Sequence, residues 1–348
     1  MVKVKLEHKR GRLVLHIGDL KLECTIEPRR WRNPLLAVAV LVLLPPLFFH
    51  RPDILTLLTT ANIYACVAIP VAWQMIGIGR MNFGPQIFIG IGGFTAALLS
   101  IHLGLGPLQS LPLVIIIGLI SGFMLSPLTI VAKGLYYSII TLVLPLVFMQ
   151  LTYVYSNIFG GEYGLSGVQQ LISLGSMKLN FLVTFYLSLL MMLVFMFVVN
   201  SIFRSRMGLF AAAINDDEDV ANALGLNVNW WKIVCYTITS MMVSLTGWFI
   251  AYNIGGFSGE TYLPLSFMLK ILLIVMIGGR GEIYGTLIGA YFVSFLETGL
   301  RAAFGSISHV LFPLILLILL LTLREGLYGL YSKHRYREYY PTVRVRKR

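Results

Sequence analysis

The chain has 348 residues, of which 57% are hydrophobic and only 12% charged, with 27 Lys+Arg against 15 Asp+Glu for a formal charge of +12. Soluble domains usually carry about 25% charged residues, so this composition excludes most soluble classes. Residues 1–33 hold nine basic and four acidic side chains, residues 324–348 hold eight and two, and the 290 residues between them are nearly neutral. Charged tails around an uncharged middle mark a multi-span membrane protein, whereas a nucleic-acid binder spreads its basic residues over a folded face.

In the first 33 residues, Val2, Val4 and Leu6 alternate with polar neighbours, and Lys9-Arg10-Gly11-Arg12 suits a turn. Leu13, Leu15, Ile17 and then Leu20, Leu22, Cys24, Ile26 resume the two-residue period. This predicts a small β-meander on the cytoplasmic side. The rival is a basic tail held against anionic lipid by charge alone. Nothing here is apolar for long enough to make a cleavable signal peptide, so the first span is expected to target the chain.

A hydrocarbon core about 30 Å thick needs about 20 apolar helical residues, with every backbone group satisfied inside the segment. Ten candidates follow in order: 34–50, 54–79, 83–102, 108–131, 135–156, 179–203, 231–254, 264–279, 283–303 and 307–323. The fold class is therefore all-α, a polytopic bundle over residues 34–323. Pro45-Pro46 in the first candidate, the glycines of the third and ninth and Lys270 in the eighth leave room for eight full spans and two partial ones. Ten crossings place both tails on one side, with Arg80, Lys133, Arg204, Arg206, Lys232 and Arg280, against Arg51, Lys178 and Arg301 opposite. Basic residues accumulate in the cytoplasm, so both termini are predicted there. The C-terminal run Arg344-Val345-Arg346-Lys347-Arg348, within the tail 324–348, reads as lipid-facing or without order.

Chemistry of its own is hard to find in this chain. No glycine is followed by lysine, which excludes a G-x-x-x-x-G-K-[ST] phosphate loop. Six scattered histidines and the distant Cys24, Cys66 and Cys235 have no metal-ligand spacing. No cofactor is expected. Lys270 and Glu297 lie inside apolar segments and are functional candidates for that reason. The competing readings are snorkelling for Lys270 and neutralisation of Glu297 by Arg301 one helical turn away.

The polar stretch 204–229, between the sixth and seventh candidates, is longer than a connection needs. Asn215 followed three residues later by Glu218 resembles a capping box, Asp216 to Asp219 place negative charge at a helix N-terminus, and Gly225 suits the stop. A helix over Asp216–Leu224 is predicted, with Ala221, Ala223 and Leu224 as an exposed knob for an energy-coupling partner to grip. The alternative is a surface helix without a partner.

Here the chain resembles the permease subunits of branched-chain amino-acid ABC importers, of the LivM type. Their pattern S-x-x-G-x-x-x-x-A-I-R-E-D-E-x-A-A-x-A-L-G-I-N-V is matched by Ser205, Gly208, Ala213, Ile214, Asp217, Glu218, Ala221, Ala223, Leu224, Gly225, Asn227 and Val228. Asn215 stands for the arginine. Gly79 to Thr95 is similar to G-Q-L-S-L-G-H-A-A-F-F-G-I-G-A-Y-T through Gly79, Gly84, Phe88, Gly90, Ile91, Gly92 and Thr95. Gly134 to Leu142, Gly160-Gly161-Glu162-Tyr163-Gly164-Leu165 and Ile271 to Ala290 agree with three further family stretches, so the likeness spans residues 75–325.

The resemblance implies that Asn215 to Asn227, Asp216 included, forms coupling helices that dock on one of two ATPase subunits, where ATP and Mg would bind. It implies a second permease and an extracytoplasmic binding protein facing Gly160, Gly161, Gly164 and Leu165. Gly79, Gly84, Gly90, Gly92, Gly93, Lys270, Gly278 and Gly279 become candidates for the path or for helix crossings. The expected place is a prokaryotic inner membrane. Arg80, Pro85 and Lys270 depart from the family's glutamine, histidine and glutamate. Urea, amides, nucleosides or sugars therefore stay open beside branched-chain amino acids, as does a stand-alone carrier or channel.

Overall fold

The computed structural model describes residues 4–9, 12–17, 20–25, 51–132, 134–173, 175–279, 283–322 and 344–347. They fall into two compact units, one built from the two ends of the chain and the other spanning 49–328.

The first unit contains strands β1 (Val4–Lys9), β2 (Arg12–Ile17) and β3 (Leu20–Thr25), which pair antiparallel in sequence order with Val4 opposite Ile17 and Arg12 opposite Thr25. The C-terminal run, expected at lipid or without order, is instead a fourth strand, Arg344–Lys347, placing Leu20 opposite Lys347 and Glu23 opposite Arg344. The outer edge of β3 carries unpaired backbone groups that an extended segment can satisfy wherever it lies in the sequence. Two stretches that charge counting treats as separate tails thus belong to one sheet.

The second unit is helical. Helix α1 (Pro52–Ile78) starts with Pro52 in its first turn and stops at Gly79, whose φ of 72° is a left-handed cap that glycine adopts without strain. After it come α2 (Gln86–Leu103), α3 (Pro107–Leu125), the turn α4 (Leu128–Val131), α5 (Leu135–Val154) and the turn α6 (Ser156–Phe159). Strand β4 (Leu165–Ser166) precedes α7 (Met177–Arg204), α8 (Arg206–Asp216), α9 (Glu218–Ala223) and α10 (Val228–Ile254). Strand β5 (Gly256–Phe257), the turn α11 (Gly259–Tyr262), α12 (Leu265–Gly279), α13 (Ile283–Phe304) and α14 (Ser308–Thr322) complete it.

Among the described residues, eight helical stretches are long and apolar enough to cross a membrane. The protein is a polytopic helical membrane protein. Nine of the ten candidate segments are helical in most of their length, and 34–50 lies outside the described residues. The last, α14, is described from Ser308 to Thr322, where the described residues of this unit end. The third begins later than expected, because Met81 to Pro85 form a loop.

Helices α1, α2 and α10 occupy the interior. Helix α10 packs on α2, α3 and α1, and α1 also packs on α7 and α13. Ala65, Cys66, Val67, Ala68 and Ile69 are all fully buried, so α1 is enclosed on every side over that turn and a half. By contrast α3, α5 and α7 turn Ile116, Ile120, Phe123, Val147 and Phe197 outward. The crossing of α2 over α10 is backbone on backbone: a Cβ on Gly92 would overlap the main chain of Ser244, and one on Gly247 that of Ile89.

Candidate functional site

The polar stretch 204–229, expected to be the coupling segment, contains two helices where one was predicted. Ser205 ends α7 and caps α8, its Oγ accepting from Met207 N at 3.2 Å. Gly208 is required there, because a Cβ would strike the backbone of Phe203 as the chain turns back. Ala211 and Ile214 bury α8, which packs against α1, while Asn215 and Asp216 stay exposed.

The capping differs from the prediction. Asp217, not Asn215, caps α9: its Oδ1 accepts from the backbone N of Asp219 and Val220, both at 3.0 Å. Asn215 lies inside α8, where its side chain cannot serve as an N-cap. At the other end Gly225, with φ of 84°, closes a Schellman motif in which Leu226 N donates to Ala221 O at 3.2 Å and Gly225 N to Asn222 O at 3.0 Å. Asn227 then caps α10 through Trp230 N at 3.0 Å. The expected knob is also revised. Ala221 is buried, and the exposed apolar positions are Val220, Ala223 and Leu224. A six-residue helix shows only one face outward, and Ala221 lies on the other.

Glu218 is not free to meet a partner either. Its Oε2 pairs with Arg80 Nη2 at 2.6 Å, and its Oε1 forms an ion pair with Lys232 Nζ. The Lys232 side chain is only 1% exposed. Arg80 Nη1 also donates to the carbonyls of Thr129 (3.1 Å) and Ala132 (2.7 Å), at the C-terminal end of α4 where acceptors lack helical partners. Arg80 therefore belongs to the junction beneath α8 and α9. Nearby, Gly79 approaches Asn215, and Trp231 Nε1 donates to Gly77 O at 2.9 Å, tying α10 to the end of α1.

The loop after Arg80 is held at each residue. Ser138 Oγ donates to Met81 O at 2.9 Å, Asn82 Nδ2 to Gln74 Oε1 at 3.0 Å, and Phe83 N to Thr141 Oγ1 at 3.1 Å. Gly84 N reaches Asn82 Oδ1 at 2.8 Å and rests on the Thr141 carbonyl, with no room for a Cβ. Pro85 is the N-cap position of α2.

Lys270 is paired within the protein. Its Nζ lies 2.8 Å from Glu297 Oε1 and 3.1 Å from Tyr64 Oη, with the Tyr64 and Phe312 rings 5.1 and 5.7 Å away. Arg301 contacts the same Glu297 oxygen at 3.2 Å, as its i,i+4 spacing suggested. A second polar group escaped the sequence reading: Asn62 donates to Ser188 Oγ at 2.9 Å and accepts from Tyr291 Oη, joining α1, α7 and α13. The available signal was the single asparagine of a mostly apolar span.

The remaining glycine candidates stand at close approaches. Gly90 faces Leu263 and Phe148, Gly93 the Phe257 ring, and Gly278 the Gly285 backbone, beside Gly279 at the end of α12. At the far end, Gly160, Gly161 and Gly164 have φ of 77°, 62° and 71°. Leu165 and Ser166 pair with Phe257 and Gly256, and Val168 N donates to Gly255 O at 3.1 Å, which fastens this loop to the end of α10.

Comparison with known proteins agrees with this architecture. The family described as "Branched-chain amino acid transport system / permease component" matches residues 53–321. The high-affinity branched-chain amino acid transport system permease protein LivM of Escherichia coli K12 is 25% identical over 282 residues, 74% of this chain and 65% of the relative. The LivM of Salmonella typhimurium is 24% identical with the same coverage, so the match spans just under two thirds of these relatives' length. The ribose import permease protein RbsC of Haemophilus influenzae is 24% identical over 314 residues, 87% of this chain and 94% of the relative. The likeness is thus not specific to the LivM type. No solved structure matches the chain.

Proposed function

The chain belongs to the family of branched-chain amino acid transport system permease components, and on that premise we propose that it is the membrane subunit of an ATP-driven importer. It pairs with a second permease in a prokaryotic inner membrane and takes substrate from an extracytoplasmic binding protein. ATP and Mg bind in two ATPase subunits, and this chain performs no catalysis. The coupling segment and both tails face the cytoplasm. The observation that carries this reading is the α8–α9 segment. It presents Asp216, Asp217, Asp219, Val220 and Leu224 outward, while Ala211, Ile214 and Ala221 anchor it from beneath.

A docked ATPase that changes shape between nucleotide states has different contacts with the two conformations of the membrane bundle, which is what drives alternating access. The proposed substrate is a branched-chain amino acid, in line with the LivM relatives. A sugar is the second reading, favoured by the match to RbsC over nearly that relative's whole length.

The test is purification of the tagged full-length chain from its own cells in mild detergent. The ATPase subunits should come with it, and Leu224→Asp, on an exposed side chain, should release them by about tenfold or more. Uptake of labelled leucine and of labelled ribose by the same cells separates the two substrates. Transport by the purified chain alone in liposomes would sink the importer reading.

A further inference from the structure

We propose that Arg80, together with Glu218 and Lys232, is the positioning joint that passes movement of the coupling segment to the start of α2. The inference rests on the importer reading and names the residues through which its coupling runs.

Three observations carry it. First, four elements meet at two side chains. The guanidinium of Arg80 holds the carbonyl end of α4 and the carboxylate on the first residue of α9, and that carboxylate also holds Lys232 on α10. A planar guanidinium with fixed donor directions constrains the angle between the groups it bonds, which a point charge does not. Second, Lys232 is buried, so Glu218 cannot swing away without breaking an ion pair that lies in a low-dielectric interior. A displaced α9 must carry its cations along or break both ion pairs. Third, Arg80 is one residue past the left-handed turn at Gly79 and directly precedes Met81 to Pro85. That loop is fixed residue by residue to Ser138 and Thr141 of α5, and through Asn82 to Gln74 of α1. A shift of Arg80 is therefore not absorbed by slack chain. It reaches the first turn of α2 and the adjoining face of α5.

The contacts of α9 sharpen the argument. Asp217 and Gly225 stabilise that helix internally, and Val220 and Leu224 are exposed. Glu218 and Ala221 are the positions that turn α9 towards the bundle. Ala221 supplies packing without direction, whereas the ion pairs supply direction.

A joint and a purely structural clamp differ in what they change. In the complex purified with its ATPase subunits and reconstituted with its binding protein, ATP hydrolysis is measured beside transport of leucine and of ribose. Arg80→Gln should retain the ATPase subunits and keep KM within about twofold, yet raise the ATP hydrolysed per substrate moved by about tenfold. Arg80→Lys, which keeps the pair with Glu218 but not the fork onto α4, should recover part of that loss. Glu218→Gln should uncouple likewise. Should it fail to fold around Lys232, Glu218→Gln with Lys232→Met removes both charges and should still be uncoupled. An unchanged ATP-to-substrate ratio in Arg80→Gln, or an equal fall of hydrolysis and transport in it, overturns the proposal while leaving the importer reading intact. A wild-type chain that recruits no ATPase overturns the importer reading itself.

Discussion

Glu218 and Glu297 each hold two cations, but the first does so by the C-terminal end of α1 and the second beside the middle of that helix, with different results. Along that helix the levels of Tyr64 and Ile78 are separated by about 21 Å at 1.5 Å per residue. Glu218 joins Arg80 and Lys232 from different elements, and both cations are largely shielded from solvent. Glu297 joins Lys270 from the neighbouring α12 and Arg301 from its own helix, and the Arg301 side chain is 62% exposed. The first cluster fixes four elements relative to one another. The second makes an intramembrane lysine tolerable by giving it a counter-charge, a phenol and two aromatic faces. The same residue types therefore form a junction where the partners come from several elements, and a neutralised pair where they come from two neighbouring helices.

The comparison is tested most severely at Glu218. Glu218→Gln removes one partner of an ion pair to the buried Lys232, and breaking a buried pair in this way costs about 3–5 kcal/mol, so thermal unfolding in detergent should show a large loss that Lys232→Met restores. A small loss would mean that the cluster is no more demanding than its counterpart. Lys270→Met comes next. Glu297 keeps Arg301, and both members of the pair are partly exposed, so a loss of about 1–2 kcal/mol is expected in the same assay. Arg301→Gln should be the mildest. An exposed i,i+4 pair contributes about 0.5 kcal/mol or less, and the remaining difference should vanish in high salt.

Much of the helical layout was legible because hydropathy and helix stops are local properties. The span read at 283–303 is Ile283–Phe304, and that at 231–254 is Val228–Ile254. Gly225 reads as a helix stop from its residue type alone, and the Schellman closure agrees. The capping residue was less legible, since Asn215, Asp216 and Asp217 are all good caps and only the path of α8 selects Asp217. Arg80 and Lys232 could be counted as charges facing one side of the membrane, but nothing in their spacing pointed to Glu218, 138 and 14 residues away.

The sequence by itself determined that this is a many-helix membrane protein with basic ends and a polar stretch at 204–229, because burial in hydrocarbon constrains composition residue by residue. Only the tertiary structure decided which acidic side chain of that segment turns inward, that Lys270 is compensated within the protein, and that the two chain ends share a sheet. Each of those outcomes depends on which partners a polar group or a strand edge meets, and that is set by folding distant segments together rather than by any local preference.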